Sequence, residues 1–168
     1  IKHYAAGTQK AHIQGIGGFF NELDNQIRVT RIATMSAVEI SVGSCNQGGT
    51  QPEPIPDSPF EPNCSRQEGC FFCKHFSVHA DEIDIRKLVS VLYYINKGAT
   101  RASNINFFND LFGLVIKRIK NLLEQIGAIS TQKKQLVSRI EEEVYIEEEL
   151  DEYWLCKLNR LETLIGAR

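Results

Sequence analysis

The chain has 168 residues, 42% hydrophobic and 24% charged, with a net charge of −2. That length suits one domain, or one with a small appended module, and is enough to bury a core. The balance gives no global attraction to nucleic acid or membrane. The apolar run from Leu111 to Ile119 is broken by Gly113, Lys117 and Arg118, too short and too charged for a bilayer span.

The first residue is Ile, which reads as a piece of a longer chain or one whose leader is unseen. Residues 8–27 carry a helical pattern, with Thr8 to cap it and Ile13, Ile16, Phe19, Phe20, Leu23 and Ile27 at helical spacing. Gly15, Gly17 and Gly18 weaken it by roughly 1 kcal/mol each relative to alanine. Residues 29–42 are ambiguous between helix and strand, and Val38–Val42 alternates as a short strand does.

From Gly43 to Pro62 the texture changes. All five prolines and three glycines fall here, which excludes a long regular element. A loop of about 20 residues is unusual in a compact domain unless something pins it. Cys45 at its start and Cys64 just beyond its end are the candidate pins.

Next comes "CSRQEGCFFCKHFSVHADE", residues 64–82. Cys70-Phe-Phe-Cys73 has the spacing by which one backbone knuckle delivers two thiolates to a tetrahedral zinc, and Gly69 before it offers backbone freedom. With Cys64 and Cys45 the set reads C-x18-C-x5-C-x2-C, which would bind zinc and close the proline-rich loop together. His79 can replace Cys45 as fourth ligand, and His75 is a weaker candidate. Two plainer readings stand beside this one. Cys-x-x-Cys also serves thioredoxin-like redox chemistry, which leaves Cys64 without a task, and the thiols can simply be buried and free. Nucleobase deaminases need His-x-Glu before Pro-Cys-x-x-Cys, and that pattern is missing. Four available cysteines favour a closed structural site over a catalytic zinc. Five cysteines in all is an odd number, which suits a reduced, cytoplasmic chain.

Four helices follow. Asp81 caps the first, with Ile83, Leu88, Leu92, Tyr93 and Ile95 as its apolar positions and Asn96 and Gly98 at its end. The second, 103–126, spaces Phe108, Phe112, Val115, Ile119, Leu122 and Ile126 three and four apart, a seam for a partner helix. The third, 131–149, follows a short turn capped by Ser130 and puts Leu136, Val137, Ile140 and Val144 on one face. The last, 151–166, turns Tyr153, Trp154, Leu155, Leu158, Leu161 and Ile165 inward, with Cys156 as a small buried apolar residue. Lys117, Arg118, Lys120, Lys133 and Lys134 straddle the second turn as a candidate phosphate-facing end, and the acidic run 141–152 reads as a solvated face.

The expected fold is mainly α, a C-terminal helical bundle with a zinc-knuckle loop and little or no sheet. Its expected division is 1–44, 45–80 and 81–168.

One family resemblance bears on function. Gly43 and Cys45, then Cys64, then Gly69, Cys70 and Cys73, then His79, Asp81 and Glu82, with "LDEYWLCKLNRLETL" behind them, resemble the C-terminal region of large bacterial mobile-element integrases of the tyrosine-recombinase class. The resemblance spans about residues 1–166 and implies a zinc-stabilised DNA-binding or assembly domain that meets DNA as part of the full-length protein. It also implies that Tyr4, in "IKHYAAGT", is the candidate nucleophile, with His3 beside it. Phenolate attack needs the scissile phosphate held by arginines and a general acid–base group. That constellation is not in this sequence, so the segment alone is not expected to cut DNA. The alternative is a zinc-stabilised protein-interaction module without DNA contact, self-associating through the Phe112 and Ile119 seam.

Overall fold

The computed structural model describes residues 28–30, 37–56, 58, 61–100 and 105–166. Tyr4, His3 and the helix expected at 8–27 lie outside them. The described chain is mostly helical with a small sheet, in keeping with the expectation of little or no sheet, and the strand expected within Val38–Val42 is present at Val38–Ile40. Strands β1 (Arg28–Thr30), β2 (Val38–Ile40), β3 (Gly43–Cys45) and β4 (Phe76–His79) pair in the order β1-β4-β3-β2. β1 runs parallel to β4, whereas β2–β3 and β3–β4 are antiparallel. β3 lies across the 44/45 division, so the strand before the proline-rich loop and the strand after the cysteine cluster share one sheet.

The strand β4 has no counterpart among the sequence expectations. Phe76-Ser-Val-His79 is short and mixes polar with apolar residues. Yet it is central, and all four residues are buried. His79 is tolerated in the core because Asp84 and Ser44 meet its Nδ1, although its Nε2 is buried without a hydrogen-bond partner among the described residues. Gly43 permits the tight β2–β3 hairpin. Its φ is +150°, and a Cβ there would stand 2.8 Å from the Ser77 carbonyl oxygen.

Among the described residues four α-helices follow the sheet: α1 (Glu82–Ala99), α2 (Ile105–Ala128), α3 (Thr131–Ile146) and α4 (Glu152–Gly166). Asp81 caps α1, its side chain accepting from the Asp84 amide at 2.9 Å, and Ser130 caps α3 by accepting from the Lys133 amide at 3.2 Å. α1 and α2 run past the glycines expected to stop them. Gly98 and Gly127 are helical, since an isolated glycine costs only about 1 kcal/mol and packing outweighs it. The α2 seam is buried at Val115, Ile119, Leu122 and Ile126, and α3 answers with Val137, Ile140 and Val144. Three expected core positions are not in the core: Ile83 is 60% exposed, and Tyr153 and Leu155 lie at the surface of α4. Cys156, expected to be buried, is exposed too. Among the α4 residues whose burial is described, Trp154 and Leu158 are buried, and of the helices α4 packs chiefly on α1.

The sheet and the helices form one continuous apolar core, from Val42, Phe71, Phe72 and Val78 through Leu88 to Ile140. Among the described residues no helix is long and apolar enough to cross a membrane.

Candidate functional site

The proline-rich loop is fastened mainly through its middle. Glu53–Ile55 runs beside Phe72–Lys74: the Ile55 amide donates to the Phe72 carbonyl at 3.1 Å and the Lys74 amide to the Glu53 carbonyl at 2.9 Å. Ile55 itself is buried in the core. Apolar burial of one such side chain contributes about 1.5–3 kcal/mol, so Ile55 is a pin in its own right. The sequence signal is a lone Ile among prolines, which carries no periodicity.

Around this strap lie the four cysteines of the C-x18-C-x5-C-x2-C pattern. Cys45, Cys64, Cys70 and Cys73 all line one cavity of about 290 Å³. Cys45 is buried at the end of β3, where the Gly49 amide donates to its Sγ at 3.3 Å across a turn in which Gly48 and Gly49 take left-handed angles. Cys70 and Cys73 belong to a 3-10 helix, Gln67–Phe72, and its exit, with the Cys73 amide donating to the Cys70 carbonyl at 3.0 Å. Phe71 and Phe72 between them point into the core and hold the knuckle down. Cys64 lies exposed on a turn closed by the Arg66 amide donating to the Asn63 carbonyl at 2.9 Å. Gly69 serves this turn by absence of bulk rather than by unusual angles, since a Cβ would meet the Asn63 nitrogen at 3.0 Å and the Pro62 Cα at 3.1 Å.

The electrostatics of the cluster are those of thiols crowded together. Burial pushes the Cys70 thiol up to about 12, and the neighbouring Cys73, Cys45 and Cys64 push it further in the same direction. A cation among the sulfurs reverses that logic, because a metal-bound thiol is deprotonated outright. The cavity is wider than one ion requires. Among the described residues no group of three or more His, Cys, Asp or Glu is gathered so as to hold a metal ion as it stands. Sharing a cavity and forming a closed ligand set are different conditions, and only the first is met here. The donor chemistry suits zinc, provided the thiols close inward on it.

His79 does not line that cavity. It is buried beside α1, where its Nδ1 is 2.9 Å from Asp84 Oδ2 and 3.3 Å from Ser44 Oγ, and its backbone N–H donates to the same Asp84 oxygen at 2.7 Å. An ionised carboxylate only accepts, so Nδ1 carries the hydrogen. The Ser44, His79 and Asp84 contacts all fall on Nδ1, which differs from the two-nitrogen relay of a hydrolytic triad. Lys87 extends the cluster, its Nζ 2.6 Å from Glu39 and 3.5 Å from Asp84. Sequence reasoning missed this network, although Asp84 and Lys87 lie at i and i+3 of a capped helix. His75 is engaged elsewhere, 3.3 Å from Glu53.

The five basic residues do not act as one patch. Lys117, Lys120 and Lys134 are exposed and Lys133 is half-buried, but Arg118 is 2% exposed. Arg118 falls one residue before Ile119 on the inward face of α2, so it cannot present its guanidinium to a phosphate. Comparison with known proteins gives no match: no family model fits the sequence, and no curated protein or solved structure matches it significantly.

Proposed function

We propose that this chain is a zinc-stabilised helical module in which one structural zinc, held by Cys45, Cys64, Cys70 and Cys73, fastens the proline-rich loop to the sheet and bundle. The observation that carries this reading is the arrival of four cysteines from three separate segments at one cavity. When bound, zinc supplies closure rather than reaction, since four thiolates fill its tetrahedral positions. The chain's own contribution is placement. Cys45 commits the end of β3, Cys64 the far end of the loop, and Cys70 and Cys73 the 3-10 helix that rests on the core.

The wider role we propose is DNA contact or protomer assembly at the C-terminal end of a cytoplasmic site-specific integrase. Two things support it: the motif resemblance, and the exposed Lys117, Lys120 and Lys134 near the α2–α3 turn. DNA is then met through the whole integrase, with Tyr4 as its nucleophile. A second reading, a protein-interaction module that also self-associates, is favoured by the large apolar side chains at the surface, Ile146 at 76% and Ile83 at 60% exposure.

Metal stoichiometry tests the site. One zinc per chain is expected in the purified protein, lost in Cys45→Ser and retained in His79→Ala. Metal lost only in His79→Ala reverses the ligand assignment, and no metal in the parent removes the proposal. Binding to duplex DNA separates the two roles: DNA contact gives affinity that falls steeply with salt, whereas an interaction module gives a salt-tolerant oligomer.

A further inference from the structure

Polar anchors of α4 reach into the cysteine-bearing segments. Trp154 is the only tryptophan in the chain and is 1% exposed. Its indole N–H donates to the Ser41 carbonyl at 2.7 Å, in the turn between β2 and β3, four residues before Cys45. Lys157, one turn on, donates to Gln67 Oε1 at 3.2 Å, at the start of the 3-10 helix and three residues before Cys70. Tyr153, beside Trp154, lines the cysteine cavity together with Ser41 and Gln67. On its other side α4 is held by α1: the Asp151 amide donates to Ser90 Oγ at 2.9 Å, and Trp154 packs on Tyr94 with ring centroids 5.4 Å apart.

The surface that receives α4 is therefore composite. Half is α1, a continuous helix that keeps its shape by its own hydrogen bonds. The other half is the β2–β3 turn and the 3-10 helix, two short segments each closed by only a few hydrogen bonds of its own. Their relative position is what a bond from Cys45 to Cys70 and Cys73 through one ion would fix. We infer that the metal site is the clasp for the C-terminal helix: α4 docks when the four thiols hold an ion, and it loosens on α1 when the ion leaves. This rests on the zinc reading above and adds that metal occupancy is transmitted to α4 before the bundle of α1, α2 and α3 responds. α4 is suited to this, because local openings begin in elements held at few points, and α4 is joined to the cysteine-bearing segments through Trp154 and Lys157. Trp154 and Leu158 would then be the apolar surface uncovered.

The sole tryptophan reports the event directly. The whole chain, loaded with zinc, is titrated with EDTA while released zinc is followed with a chromogenic chelator, and Trp154 emission is read in parallel. The expected result is a shift of emission to longer wavelength and a gain in acrylamide quenching, in proportion to zinc released and reversed by added zinc. Hydrogen exchange on the same samples should show residues 152–166 losing protection while 82–99 and 131–146 keep theirs. This needs no variant that might fail to fold. Zinc that leaves with Trp154 emission and α4 protection unchanged overturns the coupling and spares the metal site. Simultaneous loss of protection in α1, α3 and α4 also overturns it, since the metal would then hold the whole fold. A protein that carries no zinc overturns both proposals.

Discussion

Replacing Asp84 by Asn is a sharp test of how the sheet is joined to the helices. The carboxylate is 2% exposed and stands at the junction, accepting from the His79 amide at 2.7 Å and from His79 Nδ1 at 2.9 Å, with Lys87 Nζ 3.5 Å from its other oxygen. The amide is nearly isosteric, so no cavity opens. Its one oxygen can keep the two His79 bonds, but they lose the charge that makes such bonds roughly twice as strong as neutral ones. Its NH2 group then faces Lys87, donor against donor. Lys87 is 4% exposed and keeps only Glu39, whose side chain is 68% exposed and contributes about 0.2–1 kcal/mol in solvent. Removing one partner of a buried ion pair costs about 3–5 kcal/mol, a large share of the roughly 5–15 kcal/mol that holds an ordinary domain folded.

Urea unfolding of the zinc-loaded protein measures the loss, and Lys87→Met supplies the control. In the double variant the uncompensated ammonium is gone, so it should be more stable than the sum of the single losses implies, by about 0.5–3 kcal/mol. The pair also leaves a trace in pH. The hydrogen bond from Lys87, and then its charge, hold the Glu39 carboxyl below the usual carboxylate range. A depressed carboxylate contributes stability that is fully present above its unfolded pKa and lost as pH falls through its folded one. Lys87→Met should flatten that acid-side slope. An Asp84→Asn loss under about 1 kcal/mol, or strictly additive single losses, would refute the network as the joint.

Gly43→Ala forces a side chain into φ +150° and onto the Ser77 carbonyl, so a loss of about 1–3 kcal/mol is expected in the same unfolding assay. Ile140→Ala, at a fully buried site between α2 and α3, should cost about 2–5 kcal/mol with no change in zinc content. If the α2–α3 end meets DNA, Lys120→Ala with Lys134→Ala lowers affinity and reduces the salt slope by about one unit for each phosphate left unneutralised, as titrations at several salt concentrations would show. Arg118→Ala should instead lower the unfolding midpoint, because that side chain is in the core.

Periodicity made the bundle legible. The α2 seam and the α3 face are long enough for a period of 3.6 to show, and the caps Asp81 and Ser130 marked the starts of α1 and α3. The sheet was nearly illegible for the converse reason. Its strands are three or four residues long, and β4 pairs with partners far away in sequence, one of them beyond the proline-rich loop. The cysteine spacing singled out four residues that line one cavity. It could not say that Ile55 would pin the loop as well, nor that Arg118 would turn inward, because both depend on what packs against them. Exposure of Ile83 and Cys156 is the same lesson at a helix surface: the apolar stripe is only as wide as the partner that covers it.

The contrast between Cys45 and His79 follows from the way β3 and β4 lie side by side. The strands are antiparallel, and Cys45 pairs with Phe76 and Ser44 with Ser77, so each pair shares one face of the sheet. Adjacent residues in a strand point to opposite faces. Cys45 therefore takes the face that carries the sulfur cavity, while Ser44 takes the face where His79 and Asp84 meet. His79 is an odd number of residues from Phe76, which lines the cysteine cavity, and so belongs to the opposite side of β4. Moving it to the thiols would require flipping the strand and would strip Asp84 of two hydrogen bonds. One sheet thus carries the cysteine cavity on one face and a buried ionic joint on the other.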